Sequence, residues 1–248
     1  MTDAIWPLAA PMPANEYELP VRPRYLAGGG GCADAALDPL TVPTWRFREA
    51  EPGNVHAFAD RDRAYVGFLP EPCQEVRARG LWHIEARQAR WAAPVWEAAM
   101  SDHTPPELVA AFTAALAQDA ALGGEEPPYL HRDDHPDVVW EPLRRAGWDV
   151  HVAGFAVRAL APGLLVHVGY TPPRPESGPR MQLAREEAWE IEVRPSPAGA
   201  ALWWAYFHAA TPAHLIGAFT TALSDPAPLW REEHQIPRQA RPRVATTD

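Results

Sequence analysis

The sequence predicts an α+β fold built from two tandem repeats, and three observations carry that prediction. Residues 82–118 align without a gap onto 189–225 at a constant offset of 107, with 15 of 37 positions identical. Within each copy, runs such as Trp82-His83-Ile84-Glu85-Ala86-Arg87 and Trp189-Glu190-Ile191-Glu192-Val193-Arg194 alternate apolar with charged residues, the period of a half-buried strand. Both copies then close on Thr-Pro followed by apolar residues at helical spacing, such as Leu108, Phe112, Ala115 and Leu116.

Taken in order, copy one reads as strands near 55–58, 64–69, 82–87 and 95–100, and copy two as strands near 150–157, 164–170, 189–194 and 202–207. Each repeat is thus expected to be an antiparallel four-stranded sheet covered by its C-terminal helix, an arrangement that suits a pseudo-two-fold axis. A short helix from Pro136 to Ala146, stopped by Gly147, precedes the second sheet. Thr104, Pro105 and Glu107 predict a Thr-x-x-Glu capping box at the first closing helix. His214 replaces that glutamate in copy two, which should weaken its cap by up to about 1 kcal/mol. Residues 1–20 read as a disordered tail, 21–120 as repeat one and 121–136 as an acidic Pro/Gly linker. Residues 137–228 read as repeat two, and 229–248 as a second disordered tail.

Composition narrows the function classes. The 248 residues carry 32 acidic and 22 basic side chains, a formal charge of −10, which disfavours a bulk electrostatic grip on nucleic acid. Every basic residue is Arg, so chemistry that needs a lysine Schiff base or a P-loop lysine is excluded. No apolar run approaches the roughly 20 residues of a membrane span, and Met1 to Pro20 lacks the basic start of a signal peptide. Cys32 and Cys73 read as reduced thiols, which places the chain in the cytoplasm.

Each candidate for chemistry has a plainer reading. His131-Arg132-Asp133-Asp134-His135 has metal-ligating residue types but sits in the linker, with no regular element to set ligand geometry, so no metal is expected. Gly28-Gly29-Gly30-Gly31 lacks the spacing of a phosphate loop and reads as a flexible turn. No nucleophile elbow occurs, and no catalytic residue or cofactor is assigned. Glu85 with Arg87, and Glu192 with Arg194, lie two apart on one strand face, where they make surface ion pairs or part of a binding surface. Trp204 and Tyr206 alternate with the core positions Trp203, Ala205 and Phe207, so both rings must leave the core and need another cover.

The run Val21-Arg22-Pro23-Arg24-Tyr25-Leu26-Ala27-Gly28-Gly29-Gly30, the Pro-Leu and Trp that open each copy, and the closing Thr-Pro-x-x-Leu-(Val/Ile)-x-Ala-Phe-Thr-x-Ala-Leu helix together resemble the actinobacterial family called domain of unknown function 317, labelled by its SPDY motif. The resemblance covers about residues 21–228 and implies a two-repeat intracellular protein with no established activity. Where the family reads Ser-Pro-Asp, this chain has Asp60-Arg61-Asp62 in one copy and Ala161-Pro162-Gly163 in the other. The expected function is non-catalytic binding or scaffolding, through a protein partner or self-association and without a membrane. The alternative is nucleic-acid association through local Arg patches such as Arg231, Arg238, Arg241 and Arg243, with aromatics stacking on bases. A third reading is a small-molecule enzyme with a cleft between the repeats.

Overall fold

The computed structural model describes residues 17–30, 33–49, 53–71, 80–131, 135–172, 187–196 and 199–244. The first strand, β1 (Glu18–Val21), and the last, β12 (Leu229–Glu232), pair as a separate two-stranded ribbon. Between them, repeat one supplies β2 (Trp45–Glu49), β3 (Val55–Ala59), β4 (Ala64–Phe68), β5 (Trp82–Arg87) and β6 (Pro94–Met100). Repeat two supplies β7 (Asp149–Ala153), β8 (Ala156–Leu160), β9 (Val166–Tyr170), β10 (Glu187–Val193) and β11 (Trp203–His208). All ten join one antiparallel sheet in the order β2-β3-β4-β5-β6-β11-β10-β9-β8-β7.

The fold is therefore α+β, but with five strands per repeat instead of four. Trp45-Arg46-Phe47-Arg48-Glu49 escapes a hydrophobicity reading because β2 is an edge strand with only Trp45 buried. In repeat two, Val150–Val157 looks like one strand but is two, broken by a tight turn at Gly154 (φ +65) and Phe155.

The strand order mirrors itself across the β6–β11 junction, and so does the register. Ala98 faces Phe207, Ala99 faces Tyr206, and Met100 faces Ala205. Under the offset of 107, Ala98 corresponds to Ala205 and Met100 to Phe207, so the two outer pairs exchange and Ala99–Tyr206 maps onto itself. The repeats thus meet as two subunits of an isologous dimer would.

One face of the sheet is covered by α1 (Asp34–Leu37), α2 (Pro106–Leu122), α3 (Asp137–Arg145) and α4 (Ala213–Ser224). Trp82, Ile84, Trp96 and Met100 from repeat one, and Trp189, Ile191, Trp203 and Phe207 from repeat two, fill a single core with Leu108, Phe112, Leu215 and Phe219 of the helices. Phe112 stacks on Phe207 at 5.5 Å, which carries that core across the junction.

Each repeat's lead-in also crosses to the other repeat. The 3-10 turns Arg24–Leu26 and Pro128–Leu130 both present Tyr-Leu. The Trp96 indole of repeat one donates to the Tyr129 carbonyl at 2.7 Å, and the Trp203 indole of repeat two donates to the Tyr25 carbonyl at 2.8 Å. Tyr25 packs edge-on against Trp148 of repeat two, and burial pushes its phenol pKa up to about 12. Arg24 bonds the Ala222 and Ala227 carbonyls at the end of α4. Residues 121–136 are accordingly no solvated linker throughout, since Tyr129 is fully buried.

The terminal segments differ from expectation as well. Residues 1–16 lie outside the described residues, whereas 17–20 lead into and form part of the β1–β12 ribbon. Residues 229–244 pack with Ile236 and Ala240 buried, because Glu107 captures Arg231 through two bonds of 2.7 and 2.6 Å. That pairing overturns the capping box. Helix α2 begins one residue later, at Pro106, and has no side-chain cap. Thr104 instead donates to the Trp204 carbonyl. In α4 the matching His214 bonds Asp119 of α2 at 2.7 Å, so these two positions tie elements together in place of capping.

Candidate functional site

No described helix lies on the second face of the sheet, and one cross-strand row runs over it from edge to edge. It reads Arg48, His56, Gly67, His83, Ala99, Tyr206, Glu190, Gly169, Arg158 and His151. The two glycines on this row have a physical reason. A Cβ on Gly67 would lie 2.2 Å from the Tyr65 hydroxyl oxygen, and one on Gly169 would lie 2.9 Å from the His167 ring. In both repeats a ring two residues upstream lies across the glycine.

Trp204 and Tyr206 point onto this open face, with Trp203, Ala205 and Phe207 buried between them. Their rings stack at 4.7 Å with 25° between planes. The Trp204 backbone is tied to repeat one, accepting from the Ser101 amide at 3.0 Å and donating to the Ser101 hydroxyl at 3.1 Å. Its ring edge rests on Gly80, where a Cβ would lie 2.9 Å away. Beside it a hollow of about 290 Å³ is lined by Leu69, Pro70, Leu81 and Asp102. Repeat one therefore covers part of Trp204, and the ring remains only half-buried.

Glu85, Arg87, Glu192 and Arg194 form the same device twice. Arg87 bonds Glu85 and donates to the Ala92 carbonyl at 2.6 Å. Arg194 bonds both Glu192 oxygens at 2.8 Å and donates to the Gly199 carbonyl at 3.3 Å. Ala92 and Gly199 correspond under the offset of 107, so each arginine clasps its strand to the turn of its own hairpin. Glu192 holds the Arg194 guanidinium above its ordinary pKa through that hydrogen bond. The structure brings Glu192 next to Trp204 across β10–β11, whereas Glu85 and Arg87 lie on β5, on the far side of β6.

A second aromatic group went unrecognised in the sequence. His56, Phe58 and Tyr65 stack in a cluster, with rings 5.2–6.5 Å apart, and His56 Nδ1 lies 3.0 Å from the Tyr65 hydroxyl. Arg48 sits over Phe58 at 5.6 Å. Around the neighbouring turn, Asp62 holds both Arg46 and Arg90, and Arg63 donates to the Gly124 and Glu125 carbonyls at 2.7 Å each. The signal available in the sequence was the Arg-Phe-Arg alternation of residues 46–48, opposite His56 and Phe58.

The other candidates resolve simply. Arg231 is 2% exposed and bound to Glu107, so it leaves the surface patch once assigned to the C-terminal arginines. Gly28, Gly29 and Gly30 are a close-packed crossing and not a flexible turn, because a Cβ on Gly29 would lie 2.1 Å from the Asp102 carbonyl oxygen. Cys32, Cys73 and residues 132–134 of the histidine-acid cluster lie outside the described residues. Among the described residues no three His, Cys, Asp or Glu side chains gather as a metal site, and no helix is long and apolar enough to cross a membrane.

The β3–β4 and β8–β9 turns share one geometry. Arg61 and Asp62 have φ of 58° and 67°, and Gly163 and Leu164 have φ of 87° and 60°. Each loop spans four residues, 60–63 and 162–165, and holds two successive residues in the left-handed region, which Leu164 adopts at a steric cost of about 1 kcal/mol or more. A family model described as a domain of unknown function (DUF317, SPDY) matches residues 61–122 and 161–229, both segments starting at this turn. Together they span just over half the chain. The chain belongs to the SPDY family. The SPDY segments run from this turn through the closing helix of each repeat, so the family unit contains β4–β6 with α2, and β9–β11 with α4. Neither a curated protein nor a solved structure matches the chain.

Proposed function

We propose that this SPDY chain is a non-catalytic binding protein that docks a macromolecular partner on the open face of its ten-stranded sheet. The observation that carries this reading is the pair of half-buried aromatic groups, Trp204–Tyr206 at the junction and His56–Phe58–Tyr65 in repeat one, on a face no described helix covers. At the junction β6–β11 pairing and the Phe112–Phe207 stack fill the helix-covered side, and the hollow beside Trp204, about 290 Å³, is at the small end for a substrate pocket, which supports binding over catalysis. An actinobacterial, cytoplasmic setting is supported by the arginine-only composition and the two cysteines.

Trp204→Ala with Tyr206→Ala tests the reading. The double variant should keep a cooperative melt, shifted down by about 2 kcal/mol because the rings are only half-buried. It should also lose the partner that wild type captures from an actinobacterial lysate. Undiminished capture by this variant, and by Phe58→Ala, would reject the open face as the docking surface.

A further inference from the structure

We propose that the repeat-one end of the open face binds a single-stranded nucleic acid, with phosphates on the arginines around Asp62 and bases on the neighbouring rings. The proposal rests on the docking reading above and names the class of partner.

Two adjoining hollows of about 870 and 440 Å³ share Asp62 and Arg90. Among the described residues, Arg46, Arg48, Arg61, Arg63, Arg87 and Arg90 line them against three carboxylates, Asp62, Glu85 and Glu125. A cationic excess at one corner of a chain with net charge −10 is a local feature with a definite sign. Repulsion from distant carboxylates is largely screened beyond about 10 Å at 0.1 M salt, so nearby arginines set the potential there.

Repeat two serves as an internal control. It builds the same turn and strands with Asp149 at the position of Arg46, Gly163 at that of Arg61 and Leu165 at that of Arg63, and in sequence Pro197 aligns with Arg90. The architecture therefore does not require these arginines. Arg61 even holds a left-handed conformation that glycine adopts without strain, and it makes no ion pair among the described residues.

The rings specify a single strand. Trp91 is 85% exposed with the Arg90 guanidinium 4.7 Å from its ring, an arrangement that offers a π-face next to a charge. Phe58 and Tyr65 line the same hollow. Unpaired bases stack on such faces, whereas a duplex keeps its bases stacked on one another.

The test is fluorescence anisotropy of a labelled 15-nucleotide deoxythymidine oligomer with the full-length chain from 50 to 200 mM salt, alongside a matching uridine oligomer and a duplex. Three or four phosphate contacts predict a log–log salt slope of about −2 to −3, hence a loss of roughly 20- to 60-fold over that range. Arg61→Gly with Arg90→Ala should weaken binding about tenfold and make the slope shallower by one to two. Trp91→Ala, the residue repeat two carries at that position, should weaken it about tenfold with the slope unchanged. Thermal melts within a few degrees of wild type establish that the variants fold. Absence of binding by both oligomers, duplex binding at least as tight, or an unchanged slope in the double arginine variant would each overturn the proposal. If neither oligomer binds while capture still depends on Trp204 and Tyr206, the partner class is wrong and the docking face stands. If capture fails as well, the docking reading falls too.

Discussion

His167 shows how a single position acquires a property from its surroundings. Its counterpart in repeat one is Tyr65, whose hydroxyl lies by His56, whereas His167 Nε2 is buried with no hydrogen-bond partner among the described residues. Burial lowers the His167 pKa below its ordinary 6.5, with Arg158 adding to the fall and Glu190 opposing it. The unfolded chain therefore takes up a proton here more readily than the native state does. Stability from this group is fully present above pH 6.5 and declines as the pH falls below that value. Denaturant titrations should show that His167→Tyr, which installs the repeat-one residue, flattens this loss on the acid side. An identical pH profile in wild type and variant would remove His167 from the account.

At the scale of elements, small polar contacts recur at matched places and join specific pairs of segments. Thr113 of α2 donates to the Ala36 carbonyl in α1 at 2.7 Å, and Thr220 of α4 donates to the Val139 carbonyl in α3 at 3.0 Å. Each closing helix is thereby pinned to the short helix of its own repeat. The Tyr-Leu lead-ins do the opposite and bridge the repeats. Tyr25→Ala opens a hole beside Trp148 and Trp203, both in repeat two. Hydrogen exchange should consequently rise in β11 and α4, while β5 and α2 of repeat one stay protected. Tyr129→Ala should produce the mirror pattern, through Trp96. Faster exchange confined to the mutated residue's own repeat would contradict the crossed packing. Removing a core aromatic costs about 3–5 kcal/mol, a large share of a domain's stability.

For the molecule as a whole, crossed lead-ins, a continuous sheet and one shared core make the repeats mutually dependent. Separately produced fragments 21–120 and 121–244 each lack the Tyr-Leu turn that the other supplies to its core. Each should be unfolded or self-associated when alone, and mixing them should restore a cooperative unit. The intact chain should unfold in a single calorimetric transition. Two well-separated transitions, or a stable monomeric fragment 21–120, would show that the repeats are independent. The same coupling makes an open face ten strands wide, since neither repeat alone spans more than five.

What the sequence determined by itself was the set of local rules that each copy states twice. Alternation of Trp82 to Arg87 and of Trp189 to Arg194 placed the strands and sent Trp204 and Tyr206 away from the core, because period-two geometry leaves a side chain no other choice. The recurring Thr-Pro marked the closing helices to within two residues. Which partner each group meets follows instead from long-range packing. Glu107 faces Arg231 across 124 residues of chain in place of capping its own helix, and the glycines at 28–30 are demanded by the Asp102 carbonyl and by Gln235 and Pro237. The edge strand β2 does alternate, as Trp45-Arg46-Phe47-Arg48, but only Trp45 is buried, and what the arginines near Asp62 meet depends on neighbours distant in sequence. Periodicity records burial, whereas a site on an open face depends on which distant residues the sheet sets side by side.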